Sequence, residues 1–263
     1  MKQKLVFLDI DGTLIDDGET MHESTAKAIR LAKENGHKLF LCTGREKNIV
    51  TKKLFDAGFS DGVFSAGASV ICSGREIFHS SFSPQAYDQI IETLLQHKAM
   101  IVIETFTDEI FLENTFQKGH EANKEWLLSL GSIPYSYTPK SLENTDKIVF
   151  FSCDCPAEQL SQELGDCCNI VTMSYQDSCG GEIMQPGITK AFGIQKILDF
   201  YKMNISDTIG IGDGSNDIEM LQFCATGIAM GNASDKVKTA ANMVTDRIEC
   251  DGLYKAFEKI GLI

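Results

Sequence analysis

Positive charge is scarce in this chain. It has 24 Lys and Arg against 37 Asp and Glu, for a formal net charge of −13, and no Arg occurs between Arg75 and Arg247. A surface so short of cations repels nucleic acid and anionic membrane, which excludes both as expected partners. Long apolar runs are also missing: none reaches the roughly 18–20 residues of a membrane span. The N-terminus enters an apolar strand pattern without a signal-peptide cleavage pattern, so the expected location is cytoplasmic. Repeats and low-complexity tracts are absent. Cysteine is not scarce, but the nine residues form no framework. Cys153-x-Cys155 and Cys167-Cys168 match no zinc spacing, and without a secretory signal free thiols are the expectation.

A hydrophobic fraction of 43% over 263 residues supports an ample core, as one large domain or two smaller ones. Residues 1–79 alternate strand and helix patterns: a strand at 5–10, a helix near 22–35, a strand at 38–42, a helix near 46–57, then short strands. Alternation of this kind predicts an α/β fold, a doubly wound, Rossmann-like parallel sheet with helices on both faces. The pattern resumes at Thr189. Between the two halves lies a self-sufficient α/β segment, opened by the helix start Ser83-Pro84. Residues 80–185 hold five Lys, no Arg and sixteen Asp or Glu, so nearly all the excess negative charge falls there. The expected organisation is a core of residues 1–80 and 186–263 with an inserted α/β cap domain at 81–185. Ser, Pro and Gly concentrate at the expected hinges, 80–83 and 185–188.

The richest motif is Asp9-Ile10-Asp11-Gly12-Thr13-Leu14, directly after the apolar run Leu5-Val6-Phe7-Leu8. Asp11-Gly12 alone reads as a turn. Asp9 does not, because it stands where a buried strand prefers an apolar residue. Two like charges this close require a cation, a proton or hydrogen bonds. A second acidic group, Asp213-Gly214-Ser215-Asn216-Asp217, follows the strand pattern 207–211. Its glycines permit sharp turning and let amides face a ligand. It lacks the spacing and terminal Glu of an EF-hand loop, and with the first motif it reads as the other half of one metal site. Thr43-Gly44-Arg45 ends another strand and would suit a phosphate at a helix N-terminus, although Thr43 taken singly is the better helix cap. Lys190 opens a helical pattern, where a cation is unfavourable unless an anion is near; singly, a solvated Lys is the simpler reading.

Together these pieces resemble the haloacid dehalogenase superfamily of phosphotransferases over essentially the whole chain, and are most similar to its Cof-like phosphatases. Glu182-Ile183-Met184, Gly187-Ile188-Thr189-Lys190 and Ala229-Met230-Gly231-Asn232-Ala233 also look like that family. Ala66 departs from it, standing where such proteins usually carry Asn.

The resemblance implies a magnesium-dependent phosphatase acting on small phosphate monoesters through an aspartyl-phosphate. Asp9 would be the nucleophile and Asp11 the general acid and base. Mg2+ would be held by Asp9, Asp11 through its backbone carbonyl, Asp213 and, further out, Asp217. Ile10, Thr43, Gly44, Lys190 and Asn216 would hold the phosphate. A cap without Arg is a poor clamp for a second phosphate, so the expected substrate is a singly phosphorylated, otherwise neutral or cationic metabolite such as a sugar phosphate. Trp126, Tyr135 and Tyr137 are candidate stacking residues, with cap core the better reading. A phosphomutase, a non-catalytic magnesium or phosphate sensor and a receiver domain are the competing readings. The expected assembly is a monomer or homodimer.

Overall fold

A computed structural model describes residues 2–16, 20–105, 107–116, 121–136, 142, 144–175 and 178–263, without the side chains of 126, 130, 173–175 and 178. Two compact units account for it. One combines the chain up to Arg45 with Val50–Phe78 and Thr189–Ile263; the other joins Glu46–Ile49 to His79–Ile188.

In chain order, the first unit begins with β1 (Leu5–Leu8), α1 (Glu23–Glu34), β2 (Lys38–Cys42), α2 (Lys52–Asp56), β3 (Gly62–Phe64), β4 (Ser69–Cys72) and β5 (Arg75–His79). The inserted unit contains α3 (Pro84–Gln96), β6 (Met100–Thr105), β7 (Glu109–Leu112), α4 (Glu121–Leu130), β8 (Ile133–Tyr135), β9 (Thr145–Cys153), α5 (Ala157–Leu164), β10 (Asn169–Tyr175) and β11 (Ser178–Met184). The first unit then resumes with α6 (Lys190–Tyr201), β12 (Thr208–Gly212), α7 (Ile218–Phe223), β13 (Thr226–Ala229), α8 (Asp235–Ala240), β14 (Met243–Val244) and α9 (Gly252–Lys259).

The core sheet runs β14-β13-β12-β1-β2-β3-β4-β5. Pairing is parallel from β14 through β3 and turns antiparallel at β3–β4. The expected parallel core sheet is present, and its antiparallel edge arises where a tight turn joins β3 to β4 and leaves no room for a crossover helix. The central strands are apolar throughout because both faces are covered. Val6, Leu8, Leu39, Leu41, Ile209 and Ile211 enter one core layer with Ala28 and Ile29 of α1 and Ala256 and Phe257 of α9. Leu5, Phe7, Phe40 and Cys42 enter the opposite layer with Ile194 and Ile197 of α6 and Met220 of α7. From β1 the chain steps outward through β2 and β3, and from β12 it steps the other way. The order reverses between β1 and β12, which defines the crevice where open α/β sheets bind ligands.

The inserted unit is a six-stranded sheet, β10-β11-β9-β6-β7-β8, antiparallel apart from β7–β8. Helices α3 and α5 cover one face through Ile90, Ile91, Leu94 and Leu160, packed on Ile101, Ile103, Ile148 and Phe150. Ser83 caps α3 by accepting from the Ala86 amide at 3.2 Å, with Pro84 as the first helical residue. The opposite face carries Val102, Phe111, Val149 and Leu127, and then the buried charges Glu104, Lys147 and Glu182. Tyr135 is half-buried, while Tyr137 and the Trp126 side chain lie outside the described residues.

The helix expected at 46–57 is a 3-10 turn at Lys47–Ile49 followed by α2. Thr51 sits extended as the N-cap of α2, which breaks the continuity. The helix expected near 116–129 begins at Glu121 within the described residues. All nine cysteines are free thiols. No helix among the described residues is long and apolar enough to cross a membrane.

Candidate active site at the sheet switch point

Asp9 directly follows β1 and Asp213 directly follows β12, so the two neighbouring strands deliver their carboxylates to one sheet edge. The Asp9 amide donates to the Ile211 carbonyl at 3.0 Å, which extends the ladder to the base of the site. Gly12 makes the turn after β1 possible in two ways. Its φ is +75°, and a Cβ there would lie 2.2 Å from Asp213 Oδ2. Gly212 serves the same end at the close of β12, where a Cβ would lie 2.4 Å from Asp217 Cγ.

Lys190, the first residue of α6, is fully buried between the two acidic groups. Its Nζ donates to Asp9 Oδ1 at 2.7 Å and to Asp217 Oδ1 at 2.6 Å. The solvated-Lys reading is therefore excluded. Burial pushes its ammonium pKa down, but the charges of Asp217 and Asp9 outweigh burial and hold it above the ordinary value. Thr189 caps α6 by accepting from the Phe192 amide at 3.2 Å. Gly67, with φ at +119°, lets the 65–67 turn approach the Thr189 backbone, where a Cβ would meet the carbonyl oxygen at 2.3 Å. Ser65 and Ala66 are themselves left-handed, at φ 46° and 54°. That conformation favours Asn over Ala, so Ala66 holds it at a backbone cost.

Burial, then the charge of Asp217, drives the Asp9 carboxyl well above the usual range, with Lys190 opposing. Burial and Asp217 likewise push Asp213 up to about 6 against Thr13, Lys190 and Asn232. Asp213 is oriented by Thr13 Oγ1 at 3.0 Å and Asn232 Nδ2 at 3.1 Å. Asn232 also donates to the Gly12 carbonyl at 2.9 Å and accepts from the Ile248 amide at 3.1 Å, which fixes its flip. Asp217 Oδ2 accepts the amides of Asp213 and Gly214 at 3.0 and 2.8 Å. With Lys190 on Oδ1, Asp217 braces the loop more than it faces outward.

One carboxylate oxygen from each of Asp9, Asp213 and Asp217 lies within 4.8 Å of the others. Three hard oxygen donors with a single compensating lysine form a donor set that fits a divalent cation. The Asp11 side chain stands apart from that cluster. It is 57% exposed, and Arg45 grips both its oxygens, from Nε at 2.9 Å and Nη2 at 2.6 Å. Thr43 is buried after β2, and its Oγ1 accepts from the Arg45 amide at 3.0 Å. It does not cap a helix, because the chain continues as a loop to Lys47. Ile10 is buried beneath the first turn, its carbonyl accepting from Leu14 and Ile15; Asn216 is half-buried on the Asp213 loop. Sequence reasoning gave no role to Thr13, Arg45 or Asn232, although each lay inside a quoted motif and carries a polar group beside a carboxylate.

A doubly wound α/β unit with a carboxylate cluster at its switch point, braced by one buried lysine, defines a class of hydrolytic core. The chain belongs to the haloacid dehalogenase-like hydrolase family, which it matches over residues 6–257. The resemblance read from the motifs is borne out. The chain is 26% identical to YkrA of Bacillus subtilis (strain 168) over the full length of both proteins. It is 25% identical to YitU of the same organism, a 5-amino-6-(5-phospho-D-ribitylamino)uracil phosphatase, covering 97% of this chain and 96% of that one. Among solved structures, the HAD subclass IIB sugar phosphatase BT4131 superposes with a TM-score of 0.86 at 26% identity, covering 99% of this chain and all of that one.

Proposed function

We propose that this haloacid dehalogenase-like phosphatase hydrolyses monoesters of small, singly phosphorylated metabolites, sugar phosphates among them, through an aspartyl-phosphate on Asp9 and with Mg2+. The observation that carries the reading is the placement of Asp9. It sits at the carboxyl end of a central strand, one oxygen held by Lys190 and the group flanked by Asp213 and Asp217. The phosphatase names of YitU and BT4131 support the reaction class, and both names describe polyhydroxylated phosphate esters.

Asp9 attacks phosphorus and the ester oxygen departs, taking a proton from Asp11. Water then attacks the phosphoryl group of the aspartyl-phosphate, Asp11 accepts its proton, and phosphate leaves with Asp9 regenerated. Arg45 occupies both Asp11 oxygens, so Asp11 must exchange that partner to reach the leaving group. Lys190 fixes the Asp9 rotamer and supplies positive charge to the transferring oxygens. Thr43, the Ile10 and Gly44 amides and Asn216 complete the phosphate cradle. Asp9, the Asp11 carbonyl and Asp213, with Asp217 behind, would hold Mg2+, which would supply positive charge against the repulsion between nucleophile and substrate. The inserted unit, at about residues 81–185, selects the leaving group.

Phosphate release from p-nitrophenyl phosphate and a panel of phosphorylated metabolites, with Mg2+ and with EDTA, tests this. Release should require Mg2+ and vanish in Asp9→Asn with the fold intact. Undiminished activity in that variant would overturn the mechanism, and efficient turnover of a bisphosphate would overturn the substrate class.

A further inference from the structure

Five of the nine cysteines, Cys153, Cys155, Cys167, Cys168 and Cys179, belong to the inserted unit, and all five enter its core with α3 and α5. None has a part in the proposed reaction. Two of them touch: Cys153 Sγ and Cys155 Sγ lie 3.6 Å apart, and both side chains are buried.

Strand alternation alone would keep them apart. Along β9, Ile148 and Phe150 face the helices, while Val149 and Phe151 face the opposite side. Cys153 should follow Phe151, yet it joins the helix-side core. The cause is a bulge. Gly181 pairs with Phe150 and Cys179 with Cys153, which leaves Phe151 and Ser152 opposite Gly180 alone. Ser152 turns the chain at φ 53°, in the left-handed region that residues with a Cβ avoid. Such a bulge re-aims the side chain that follows it, and strained backbone of this kind collects at functional positions. Here the re-aimed side chain is Cys153. The turn after it is also pinned. The Asp154 amide donates to the His97 carbonyl at 3.0 Å, and its exposed carboxylate takes Lys98 Nζ at 2.8 Å. Pro156 follows Cys155 as the N-cap of α5. Asp154 thus faces outward and the two thiols inward, onto each other.

We propose that Cys153 and Cys155 form a reversible disulfide site, closed by a hydroperoxide and reopened by a dithiol. A disulfide holds its sulfurs about 2.05 Å apart, so the pair must close by about 1.5 Å, which side-chain rotation can supply. Cys153 is the more exposed of the two, at 8% against 5%, and meets the oxidant first. Hydrogen peroxide converts its thiol to a sulfenic acid and is reduced to water. Cys155 Sγ then attacks Cys153 Sγ. The S–S bond forms, the S–O bond breaks, and the hydroxyl leaves as a second water with the Cys155 proton. Burial and then Cys153 push the Cys155 thiol up to about 12, so that proton is in place for the departing hydroxyl. A dithiol reopens the pair by exchange and takes up the bridge as its own disulfide.

The test treats the full chain with hydrogen peroxide at pH 8, alkylates the remaining thiols and cleaves before each Asp. Cleavage at Asp154 separates Cys153, in fragment 146–153, from Cys155, in fragment 154–165. These two fragments should stay joined until dithiothreitol parts them. Cys155→Ser should leave fragment 146–153 free and trap its sulfenic acid, which dimedone then labels; wild type should take up no dimedone there. Cys179→Ser should close within about twofold of the wild-type rate. Exposed Cys250 shows that the oxidant has acted. If Cys250 is oxidised while fragments 146–153 and 154–165 separate without reductant, the site is overturned. If fragment 146–153 is joined instead to the fragment that carries Cys179, the assigned pair is overturned in favour of the cross-strand one.

Discussion

Replacing Lys190 with Met tests the electrostatics of the site before any turnover is measured. Met fills much the same volume and removes one charge. Asp9 and Asp217 then share a buried space without the ammonium that now lies 2.7 and 2.6 Å from them. Removing one partner of a buried ion pair costs about 3–5 kcal/mol. In a chain of this length each kcal/mol moves the melting temperature by about 2–4 °C, so a fall of about 6–20 °C is expected at pH 8 in EDTA. The deficit should depend on pH in a defined direction. A carboxyl whose pKa is raised by folding destabilises the fold increasingly as pH climbs from its unfolded value toward its folded one. Asp9 is already raised with Lys190 present, and losing the lysine raises it further. The deficit should therefore be smallest near pH 5 and grow toward pH 8. Millimolar Mg2+ should narrow it by restoring a positive charge. Thermal unfolding followed by circular dichroism at both pH values, with and without Mg2+, is sufficient. Equal melting temperatures at pH 8 without metal would refute the reasoning, and so would a deficit that does not change with pH.

Asp213 must release its proton before it can ligate a cation, and its pKa stands at about 6. The rise in melting temperature given by Mg2+ should accordingly be full at pH 7.5 and fade as pH falls through about 6; an unchanged rise at pH 5 would exclude Asp213 as a ligand. Without metal, the same raised pKa means that the Asp213 contribution becomes less favourable as pH rises from 3.8 to about 6. Gly12→Ala should abolish Mg2+-induced stabilisation by driving Asp213 aside. Gly36→Ala is the matched control, with φ at +86° and open space around its Cβ; it should cost about 1 kcal/mol in urea unfolding and keep the metal response.

The strands that position the site were legible because both faces of the core sheet are buried. An apolar run such as Leu5–Leu8 has no other use for four consecutive large side chains, so Asp9 at its end stood out. Lys190 was legible by a weaker argument, the disfavoured cation in a first helical turn, and only its neighbours in space show that it is paired. Short edge elements were not legible. Met243–Val244 and Ile133–Tyr135 are too brief to show a period, and Pro134 argues against a strand at the second. Thr13, Asn232 and Arg45 gave no sign of their partners, since hydrogen bonds to Asp213 and Asp11 join residues 19 to 200 positions apart. The contact of Cys153 with Cys155 was invisible for the opposite reason: the two are close in sequence, but alternation sends Cys153 to the other face and only the bulge brings it round.

The pairing of β1 with β12, Leu5 against Thr208, also sets an order of events during synthesis. Strands β1 to β5 leave the ribosome early, but the partner for the outer edge of β1 follows about 130 residues after His79. At roughly 5–20 residues per second that is a wait of about 7–26 s. The hairpins β6–β7 and β10–β11 close locally within it, so the inserted unit can complete its sheet while the unit it interrupts is still half made. Throughout that interval β1 is an unpaired, wholly apolar edge, the kind of template on which nascent chains aggregate. Conditions that slow translation between β5 and β12 should lower the soluble yield of this protein more than the same delay placed after β14.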